Sequence, residues 1–513
     1  MKIDYEQKKI VWDREDFVAG WAPVAQTATA EGNAGRTNAN GATDMSNIDP
    51  FGQYPGWLYP GPGPTALTGV SGTSLTTILV DATLDLNSAN AYAMGGALIH
   101  KFDVTTDALS TVSPFPKTIA QASATGALGQ IVFHRTQGTA QVVFYSFNYG
   151  TAGNVGTYDI VADSFNDNFL SQVPTSGAVL GTASHPMMIT ADDLLLIGNG
   201  NKVNLYKQSN NTYSTNVLNF PDVMEVVGFA EPEDGFDTVV FCTTARGSQR
   251  RGRAIAYWWS IDRPASWYKQ SKIPDDECAA PFAYKGTVGC FTRSRSAGGR
   301  SVMRLYEDGQ WKPKYYFTGT LPGVGGVDVQ NDMVVFNSDG ELHRWGNYGD
   351  IWPYAGFHYS TGGGTTTGGF VKNFSNSGAA KFYSSSGTGT SGGLESYSNF
   401  HTTATWNGCH ARPDLPLRKK MKIAAVNLHL SAQTGDLSMN ISGDKFTTPI
   451  QPFNSYTGST SDVVRIWMPE DFLTRDDTAT ATIEPQFTWA GTSSAIGIER
   501  CEIYYELVDF VKN

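Results

Sequence analysis

Short apolar runs with alternating polarity recur from Thr76 to about Trp352, and a cluster of turn-forming residues follows each run. Runs of this length and period are typical of β-strands. The clearest pair, Met188 to Ile197 and Lys202 to Lys207, is joined by Gly-Asn-Gly-Asn, a favoured hairpin composition. Groups of three or four such runs repeat about every 40 to 60 residues, a longer period than that of most solenoids.

This spacing predicts a β-propeller with seven blades, within a range of six to eight. A closed ring of blades also leaves few unpaired strand edges, which one sheet of this length would expose. The seventh blade has the weakest pattern and lies between Gly368 and Asn399. Two or three stacked β-sandwiches are the alternative architecture, which the repeat spacing disfavours.

The composition favours an all-β fold and limits the classes of function. Of 513 residues, 17% are charged, whereas 55 are Gly and 24 are Pro, which is a turn-dense composition. The net charge of −11 argues against a general nucleic-acid binder, because affinity for phosphates needs clustered Lys and Arg. It suits a surface that DNA slides past.

Cysteine usage and hydropathy predict no disulfide framework and no membrane anchor. The five cysteines form no CxxC pair, so a zinc site is not indicated either. The charged first residues lack the apolar core of a signal peptide, and no stretch of about 18 apolar residues occurs. We therefore expect assembly in a cytosol, with no membrane-spanning segment, no metal and no cofactor.

Three regions are expected along the chain. Residues 1–65, rich in small polar residues and then in Pro, Gly and aromatics, read as an extended N-terminal arm laid on another surface. Residues 66–399 form the propeller, with a Gly/Ser/Thr-rich loop near 360–393 that looks flexible by composition. Residues 400–513 form an antiparallel β-sandwich. The residues expected to make the arm's assembly contacts are Asp49, Pro50, Phe51, Trp57 and Tyr59.

Both ends of the chain carry segments that resemble a known family. DREDFVAGWAP, followed after a loop by SNIDPFGQYPGWLYPGPGP, is similar to the opening of the phage short-tail nozzle or tail tubular β-propeller proteins. ARPDLPLRKKMKIAAVNLHL, LSMNISGD and GIERCEIYYEL resemble the last domain of that family. The resemblance covers both ends and the blade layout.

The resemblance implies a structural protein of a phage virion tail, assembled in the host cytoplasm. It implies a homo-oligomeric ring of six copies around the DNA exit channel, attached to a head-to-tail adaptor, with an N-terminal segment supplying an outer strand of the propeller. Tail fibre or spike proteins and passing genomic DNA are further expected partners. The chain is shorter than many nozzle proteins, so a tail-tip, stopper or decoration position stays open.

Two arginine-rich segments are the sharpest charge feature of the sequence. Because guanidinium groups bind phosphate in a bidentate manner, two adjacent loops of this kind would form a patch facing DNA or an acidic partner. A solvated loop or a salt-bridge surface between subunits is the alternative. The residues are Arg246, Arg250, Arg251 and Arg253 in the first loop, and Arg293, Arg295, Arg300 and Arg304 in the second.

Other motifs give no basis for predicting catalysis, so we expect no catalytic residues and no enzyme. NSDGELHRW resembles a degraded Asp-box, but Asp339 and Gly340 are explained as turn residues. The carboxylates of Glu231, Glu233, Asp234 and Asp237 lie on one loop and form no pair of the kind that glycoside hydrolysis needs. An alternative function is a host-surface protein that binds a glycan, with the region around Trp258 and Trp267 as its platform.

Overall fold

The computed structural model describes a chain that is nearly all β. It covers residues 2–4, 6–13, 17, 28–29, 44–46, 48, 57–68, 75–85, 88–120, 129–135, 141–149, 152–172, 180–181, 183–232, 237–245, 252–260, 266–294, 300–317, 319–330, 333–348, 351–354, 358–360, 367–374, 381–388, 391–400, 403–408, 411–412, 415, 419–431, 436–444, 446, 449–456, 463–468, 479–490 and 496–509. Short strands come first: β1 (Lys2–Asp4), β2 (Lys9–Trp12), β3 (Ala28–Thr29), β4 (Asp44–Ser46) and β5 (Pro62–Ala66).

Antiparallel sheets of four or five strands then follow one another, and we call each a blade. Blade 1 contains β6 (Asp81–Leu84), β7 (Asn90–Gly95), β8 (Leu98–Asp103), β9 (Ala108–Leu109) and β10 (Lys117–Thr118). Blade 2 contains β11 (Ile131–Arg135), β12 (Gln141–Tyr149), β13 (Ala152–Asp159) and β14 (Ser164–Asn166), followed by the short helix α1 (Phe169–Gln172). Blade 3 contains β15 (Met187–Ile189), β16 (Leu194–Asn199), β17 (Lys202–Lys207) and β18 (Thr212–Asn219), with a 3₁₀ turn at Gln208–Asn210.

The next three blades repeat this order. Blade 4 contains β19 (Met224–Ala230), β20 (Thr238–Thr244), β21 (Ala254–Trp259) and β22 (Lys269–Ile273). Blade 5 contains β23 (Glu277–Tyr284), β24 (Thr287–Arg293), β25 (Ser301–Glu307) and β26 (Gln310–Phe317). Blade 6 contains β27 (Val327–Gln330), β28 (Met333–Ser338), β29 (Glu341–Tyr348), β30 (Ile351–Tyr354) and β31 (His358–Ser360). Blade 7 contains β32 (Thr367–Asn373), β33 (Phe382–Thr388) and β34 (Ser391–Phe400), with β5 at its outer edge.

The first strands of the blades form a closed ring. β6 contacts β11, and the contacts continue through β15, β19, β23, β27 and β32, which returns to β6. The backbone N–H of Ile131 donates to Asp81 Oδ2 at 3.0 Å, and that of Phe133 donates to Thr83 Oγ1 at 3.1 Å. These two inner strands therefore run in the same direction. The predicted all-β propeller is confirmed, and the described residues contain seven blades.

Equivalent turns of successive blades consequently lie at the same end of the ring. In an antiparallel blade, the connection between the second and third strands lies at one end, and the two flanking connections lie at the other. We call the first end the loop face and the second end the turn face. The two arginine-rich segments, which connect β20 to β21 and β24 to β25, both belong to the loop face.

The apolar core lies between neighbouring blades. One buried cluster joins Leu196 of blade 3 to Val240 of blade 4, and the next joins Phe241 of blade 4 to Cys290 of blade 5. Because blade 4 is covered on both faces, every residue of β20 is buried, which explains its continuous apolar run. Removing one such side chain from water contributes about 1.5–3 kcal/mol.

Blade 7 is built from the segment that composition marks as a flexible loop. Its three strands cover much of residues 360–393 because Phe370, Tyr383 and Leu394 are fully buried and anchor them. Ser384, Ser385 and Ser386 of β33 are buried, and the hydroxyl of Ser385 accepts the Leu79 N–H at 3.0 Å. Low-complexity polar residues are thus part of the propeller interior.

The N-terminal segment completes blade 7. Within the propeller, the backbone N–H of Leu67 donates to Leu394 O at 3.2 Å, and the N–H of Thr68 donates to Asp107 O in blade 1 at 2.7 Å. The chain therefore passes from the outer edge of blade 7 directly to blade 1.

The chain separates into two compact units. One contains residues 65–342 and 361–397, and the other contains residues 1–64, 343–360 and 398–513. The further strands of the second unit are β35 (Thr403–Asn407), β36 (Ala411–Arg412), β37 (Lys419–Leu430), β38 (Asp436–Ser442), β39 (Ile450–Tyr456), β40 (Val463–Trp467), β41 (Glu484–Ala490) and β42 (Ile498–Asp509).

The second unit contains two five-stranded antiparallel sheets, as expected for a sandwich. Their strand orders are β1-β2-β42-β37-β40 and β39-β38-β41-β35-β4. Residues 1–65 are expected from sequence to be an extended arm, whereas their strands β1, β2 and β4 are members of these sheets. Ile10 pairs with Ile503, and both are fully buried, so burial of apolar side chains holds β2 on its own chain.

Candidate functional site at the arginine loops

The two arginine loops connect strands of two neighbouring blades, blade 4 and blade 5, and both connections are at the loop face. Arg253 closes the first loop through its backbone: its N–H donates to Thr244 Oγ1 at 2.9 Å, and its carbonyl accepts the Thr244 N–H at 2.9 Å. Arg293 and Arg300 stand at the two ends of the second loop. Arg253 and Arg300 are exposed, and Arg293 is half-buried. Arg246, Arg250, Arg251 and Arg295 lie outside the described residues.

Arg304 has a different role from the exposed arginines. Its Nη2 and Nε lie 2.9 Å and 3.1 Å from Asp275 Oδ2, and Nε also donates to Thr292 Oγ1 at 3.0 Å. The Thr292 hydroxyl in turn donates to the same carboxylate oxygen at 2.7 Å. With 11% of its side chain exposed, Arg304 is held inside blade 5 by a charge-assisted network.

An acidic pair in the link from blade 4 to blade 5 ties the two loop bases together. The backbone N–H of Asp276 donates to Arg293 O at 3.2 Å, and its carboxylate accepts the Ser294 hydroxyl at 3.1 Å. On the other side, a Cβ at Gly252 would lie 2.5 Å from the Asp276 Cβ. This close approach requires glycine at the end of the first loop, and it fixes the two loops side by side.

The sequence reasoning missed this positioning role of Asp275 and Asp276. The signal was the adjacent acidic pair in IPDDE, between two strand patterns and beside two arginine-rich segments. Chemically, the site presents guanidinium groups on a rigid base. Such groups bind phosphate or carboxylate without reading a base sequence.

The buried thiols close to this region are structural. The Cys278 thiol donates to the Cys242 carbonyl at 3.6 Å, and Cys242, Cys278 and Cys290 are free and buried. Burial raises the pKa of each of these thiols well above its ordinary value. They therefore stay protonated at neutral pH, and a thiol in that state is a weak nucleophile.

A cavity of about 350 Å³ lies among the inner strands of the propeller. Most of the residues that line it are apolar, and the polar ones are Gln130, Asp328 and Lys372. Lys372 also reaches Asp81 Oδ1 at 3.6 Å. Burial raises the pKa of Asp81 and of Asp328, and this outweighs the opposing attraction of Lys372.

The other motifs considered from sequence occupy turns or packed positions. Asp339, at φ 50° in the turn between β28 and β29, accepts the N–H of Thr320 from the link before β27 at 3.0 Å. Glu231 accepts the Ala191 N–H at 2.9 Å, and Asp237 accepts the hydroxyl of Tyr268. Glu233 and Asp234 lie outside the described residues. Among the described residues, no group of three or more His, Cys, Asp or Glu is arranged to hold a metal ion.

The aromatic cluster of blade 4 is packed. Trp258 is 5% exposed, and the Lys269 ammonium lies 4.2 Å from its ring centroid. Trp267 is half-buried and packs on Tyr257 at 5.1 Å between ring centroids. These rings contribute to blade packing, which leaves little open aromatic surface for a sugar.

Two of the predicted arm residues, Trp57 and Tyr59, pack against their own chain. Leu58 exchanges two backbone hydrogen bonds with Ile498, of 2.9 and 3.0 Å. Tyr59 is 1% exposed, and Trp57 is half-buried beside it, with ring centroids 6.3 Å apart. Asp49, Pro50 and Phe51 lie outside the described residues.

Comparison with known proteins finds similarity to solved structures alone. No family model and no curated protein matches the chain. Among solved structures, the chain is similar to the propeller of Dos1, with 10% identity, a TM-score of 0.42, and coverage of 66% of this chain and 97% of that one. Raptor from Chaetomium thermophilum also matches, with 10% identity, a TM-score of 0.41, and coverage of 67% of this chain and 30% of that one.

A third similar structure is the computationally designed Ika8 protein, with 10% identity, a TM-score of 0.37, and coverage of 66% of this chain and 99% of that one. Independently of these matches, the strand pairing and the closed ring of inner strands define the chain as a β-propeller protein. Within the described residues, no helix is long and apolar enough to cross a membrane.

Proposed function

We propose that this protein is a structural component of a phage tail, a nozzle or tube-like part that forms a ring around the DNA exit channel and attaches to the head-to-tail adaptor. The proposal rests on the resemblance of both chain ends, together with a β-propeller and a sandwich in the order that the resemblance implies. Sequence identity to the similar solved structures is 10%, which is too low to support the proposal.

The observation that carries the proposal is that the two chain ends are joined in one unit. Strand β2 pairs with β42 along four residues, from Lys9–Tyr504 to Trp12–Cys501, and Leu58 pairs with Ile498. The segments that resemble the family at either end of the chain thus contribute to one sandwich. Because β2 and Leu58 pair with β42 inside this unit, it offers a rigid surface for contacts with other subunits and with an adaptor.

The arginine loops fit this role as contacts with phosphate or with an acidic neighbour. Arg253 and Arg300 are exposed on a base fixed by Asp276 and Gly252, whereas Arg304 is committed to Asp275. The net charge of −11 keeps the rest of the surface weakly repulsive to DNA. DNA would then touch the ring locally and pass through it.

The test is to produce phage particles from a phage genome that lacks the gene for this protein. The proposal predicts filled heads with truncated tails, visible by electron microscopy, and recovery of infectivity when purified protein is added. Particles with complete tails that fail only to adsorb to the host would contradict the proposal. That result would favour the alternative, a glycan-binding protein of the host-recognition apparatus.

A further inference from the structure

The outer face of one sandwich sheet carries an exposed patch of aromatic and cationic side chains. Trp467 is 66% exposed and Val463 is 54% exposed, which is high for such large apolar side chains. Arg465 lies between them in sequence and is exposed as well. With Tyr504 and Lys9 on neighbouring strands, these residues are here called the Trp467 patch.

Strand register places the patch on one side of the sheet. Trp467 and Tyr504 both pair with Ala425, and Lys9 pairs with Tyr504. The intervening residues of β40, Val464 and Ile466, are less exposed than their neighbours and belong to the opposite side. Alternation along β40 therefore sends its most exposed residues outward together.

The patch is pre-organised by stacking of cations on aromatic rings. The guanidinium carbon of Arg465 lies 4.2 Å from the Trp467 ring centroid and 5.1 Å from that of Tyr504. The Lys9 ammonium lies 5.8 Å from the Tyr504 centroid. Such contacts hold a guanidinium flat against apolar surface and reduce the entropy lost when a partner binds.

One carboxylate offsets part of the positive charge. Glu502 Oε1 lies 2.8 Å from Arg500 and 3.4 Å from Lys9. Burial by itself would raise the pKa of Glu502, but hydrogen bonds from Tyr504 and Asn427 and the two cations outweigh it and hold the pKa below its ordinary value. Glu502 is therefore ionised at neutral pH. Lys9 and Arg500 thus share Glu502, whereas Arg465 has no ion pair within the described part of the chain, and its charge favours an acidic partner.

We propose that the Trp467 patch docks on an acidic surface of a second copy of this chain. Trp, Tyr and Arg are the residue types that most often dominate binding energy at protein interfaces, and an exposed apolar patch with a charged surround is typical of such sites. A second copy has complementary charge, because the chain as a whole carries −11. This inference rests on the proposed ring and names the contact that closes it.

The turn face of blades 2 and 3 has the complementary chemistry. Val161 is 66% exposed at the turn that follows β13, and Asp163 is exposed in the same turn. Asp192, in the turn between β15 and β16, is exposed too. An apolar side chain among carboxylates matches Trp467 beside Arg465. Contact between two different surfaces is heterologous, which generates a ring when the rotation closes.

The experiment compares assembly of three full-length variants by native mass spectrometry and sedimentation. We expect Trp467→Ala and Arg465→Glu to raise the concentration needed for ring formation at least about tenfold, which is about 1.4 kcal/mol. Tyr316→Ala, which truncates a 52% exposed aromatic residue of the propeller, is the matched control and should assemble like the wild type. Circular dichroism confirms that each variant is folded.

A charge swap identifies the partner surface. Asp192→Arg alone should weaken assembly, and mixing it with Arg465→Glu should restore mixed rings. Failure of this restoration would overturn the assigned acidic surface. Rings that persist in Trp467→Ala and Arg465→Glu would overturn the patch while leaving the proposed ring intact. A wild-type chain that never assembles, with or without the adaptor, would overturn both.

Discussion

The hydroxyl of Tyr383 in blade 7 donates to Asp107 Oδ1 in blade 1 at 2.7 Å. The same carboxylate accepts the Ser396 hydroxyl at 3.0 Å and pairs with Lys381. The backbone carbonyl of Asp107 also accepts the Thr68 N–H. One residue of the first blade thus binds two strands of the last blade and the segment that enters the ring. We call Asp107 the latch of the propeller, because its hydrogen bonds connect blade 1 to blade 7.

The first prediction concerns this latch. Asp107→Ala should lower the free energy of unfolding of the propeller by about 2–4 kcal/mol, because it leaves several partly buried donors without their acceptor. Asp107→Asn keeps an acceptor and tolerates the left-handed conformation at φ 52°, so its effect should be smaller. Urea titration followed by tryptophan fluorescence measures both. Equal stability of Asp107→Ala and the wild type would contradict the latch.

The second prediction concerns the pH dependence of Asp81, which is 1% exposed at the junction of blades 1, 2 and 7. Burial raises its pKa above the ordinary value of 3.8. Its contribution to stability is therefore fullest below pH 3.8 and falls as the pH rises towards the folded-state pKa. Asp81→Asn removes this dependence and keeps an acceptor for the Ile131 N–H.

The stability of Asp81→Asn relative to the wild type should thus improve between pH 3 and pH 7. Urea titrations of both proteins across this range measure the difference. Asp222→Asn, at an exposed turn, is the matched control. A relative stability of Asp81→Asn that declines with rising pH would show that the ion pair with Lys372 outweighs burial.

How much of this fold is readable from sequence depends on whether strands pair locally. For the hairpin joined by Gly-Asn-Gly-Asn, the turn and the second strand, Lys202–Lys207, are predicted correctly, because alternation and a turn motif lie in one short window. The first strand, predicted from Met188 to Ile197, is instead divided into β15 (Met187–Ile189) and β16 (Leu194–Asn199). The pairing of Ile10 with Ile503 leaves no such local signal. Nothing in a period-2 pattern identifies a distant partner, so residues 1–65 read as an arm.

Composition also fails to predict burial where polar side chains form hydrogen bonds inside the fold. Ser384, Ser385 and Ser396 look like linker residues, yet all three are fully buried and hydrogen-bonded in blade 7. At the arginine loops, the sequence identifies the cations. The sequence does not distinguish the buried Arg304 from the exposed Arg253. The partner of Arg304 is Asp275, which lies in the link from blade 4 to blade 5, and the sequence pattern does not show that the two are close.

The third prediction separates these two classes of arginine. Arg304→Ala should lower the free energy of unfolding by about 2–4 kcal/mol, because Asp275 loses a cation that donates two hydrogen bonds in a largely buried setting. Arg304→Lys supplies a point charge without the planar fork and should recover only part of this loss. Arg253→Ala and Arg300→Ala should change stability by no more than about 0.5 kcal/mol. Thermal unfolding tests the ranking, and an Arg304→Ala protein as stable as Arg253→Ala would contradict it.

The fourth prediction concerns binding of the same exposed arginines to phosphate. The double variant Arg253→Ala and Arg300→Ala should bind duplex DNA more weakly than the wild type. The dependence of its affinity on salt should be flatter, by about 0.9 for each phosphate that is no longer neutralised. The double variant Lys207→Ala and Lys285→Ala removes two exposed cations from the turn face and is the control. An unchanged salt slope in the arginine variant would assign these loops to a protein partner.

The fifth prediction tests docking of the N-terminal segment on the sandwich. A Cβ at Gly497 would lie 2.1 Å from the ring of Tyr59, so Gly497→Ala should displace that ring and cost about 1–3 kcal/mol. Hydrogen exchange at the Leu58 N–H, which donates to Ile498 O at 2.9 Å, should accelerate. Gly323→Ala adds its Cβ to open space and should leave this exchange unchanged. Protection of Leu58 that survives Gly497→Ala would contradict the docking.

The central claim, that this protein forms a ring on a phage adaptor, is tested most directly by the mass of the purified assembly. Native mass spectrometry or light scattering would be run on the full chain alone and after addition of the adaptor protein. The account predicts a closed hexamer, either from the start or once the adaptor is present. A stable trimer, or a monomer indifferent to the adaptor, would contradict it.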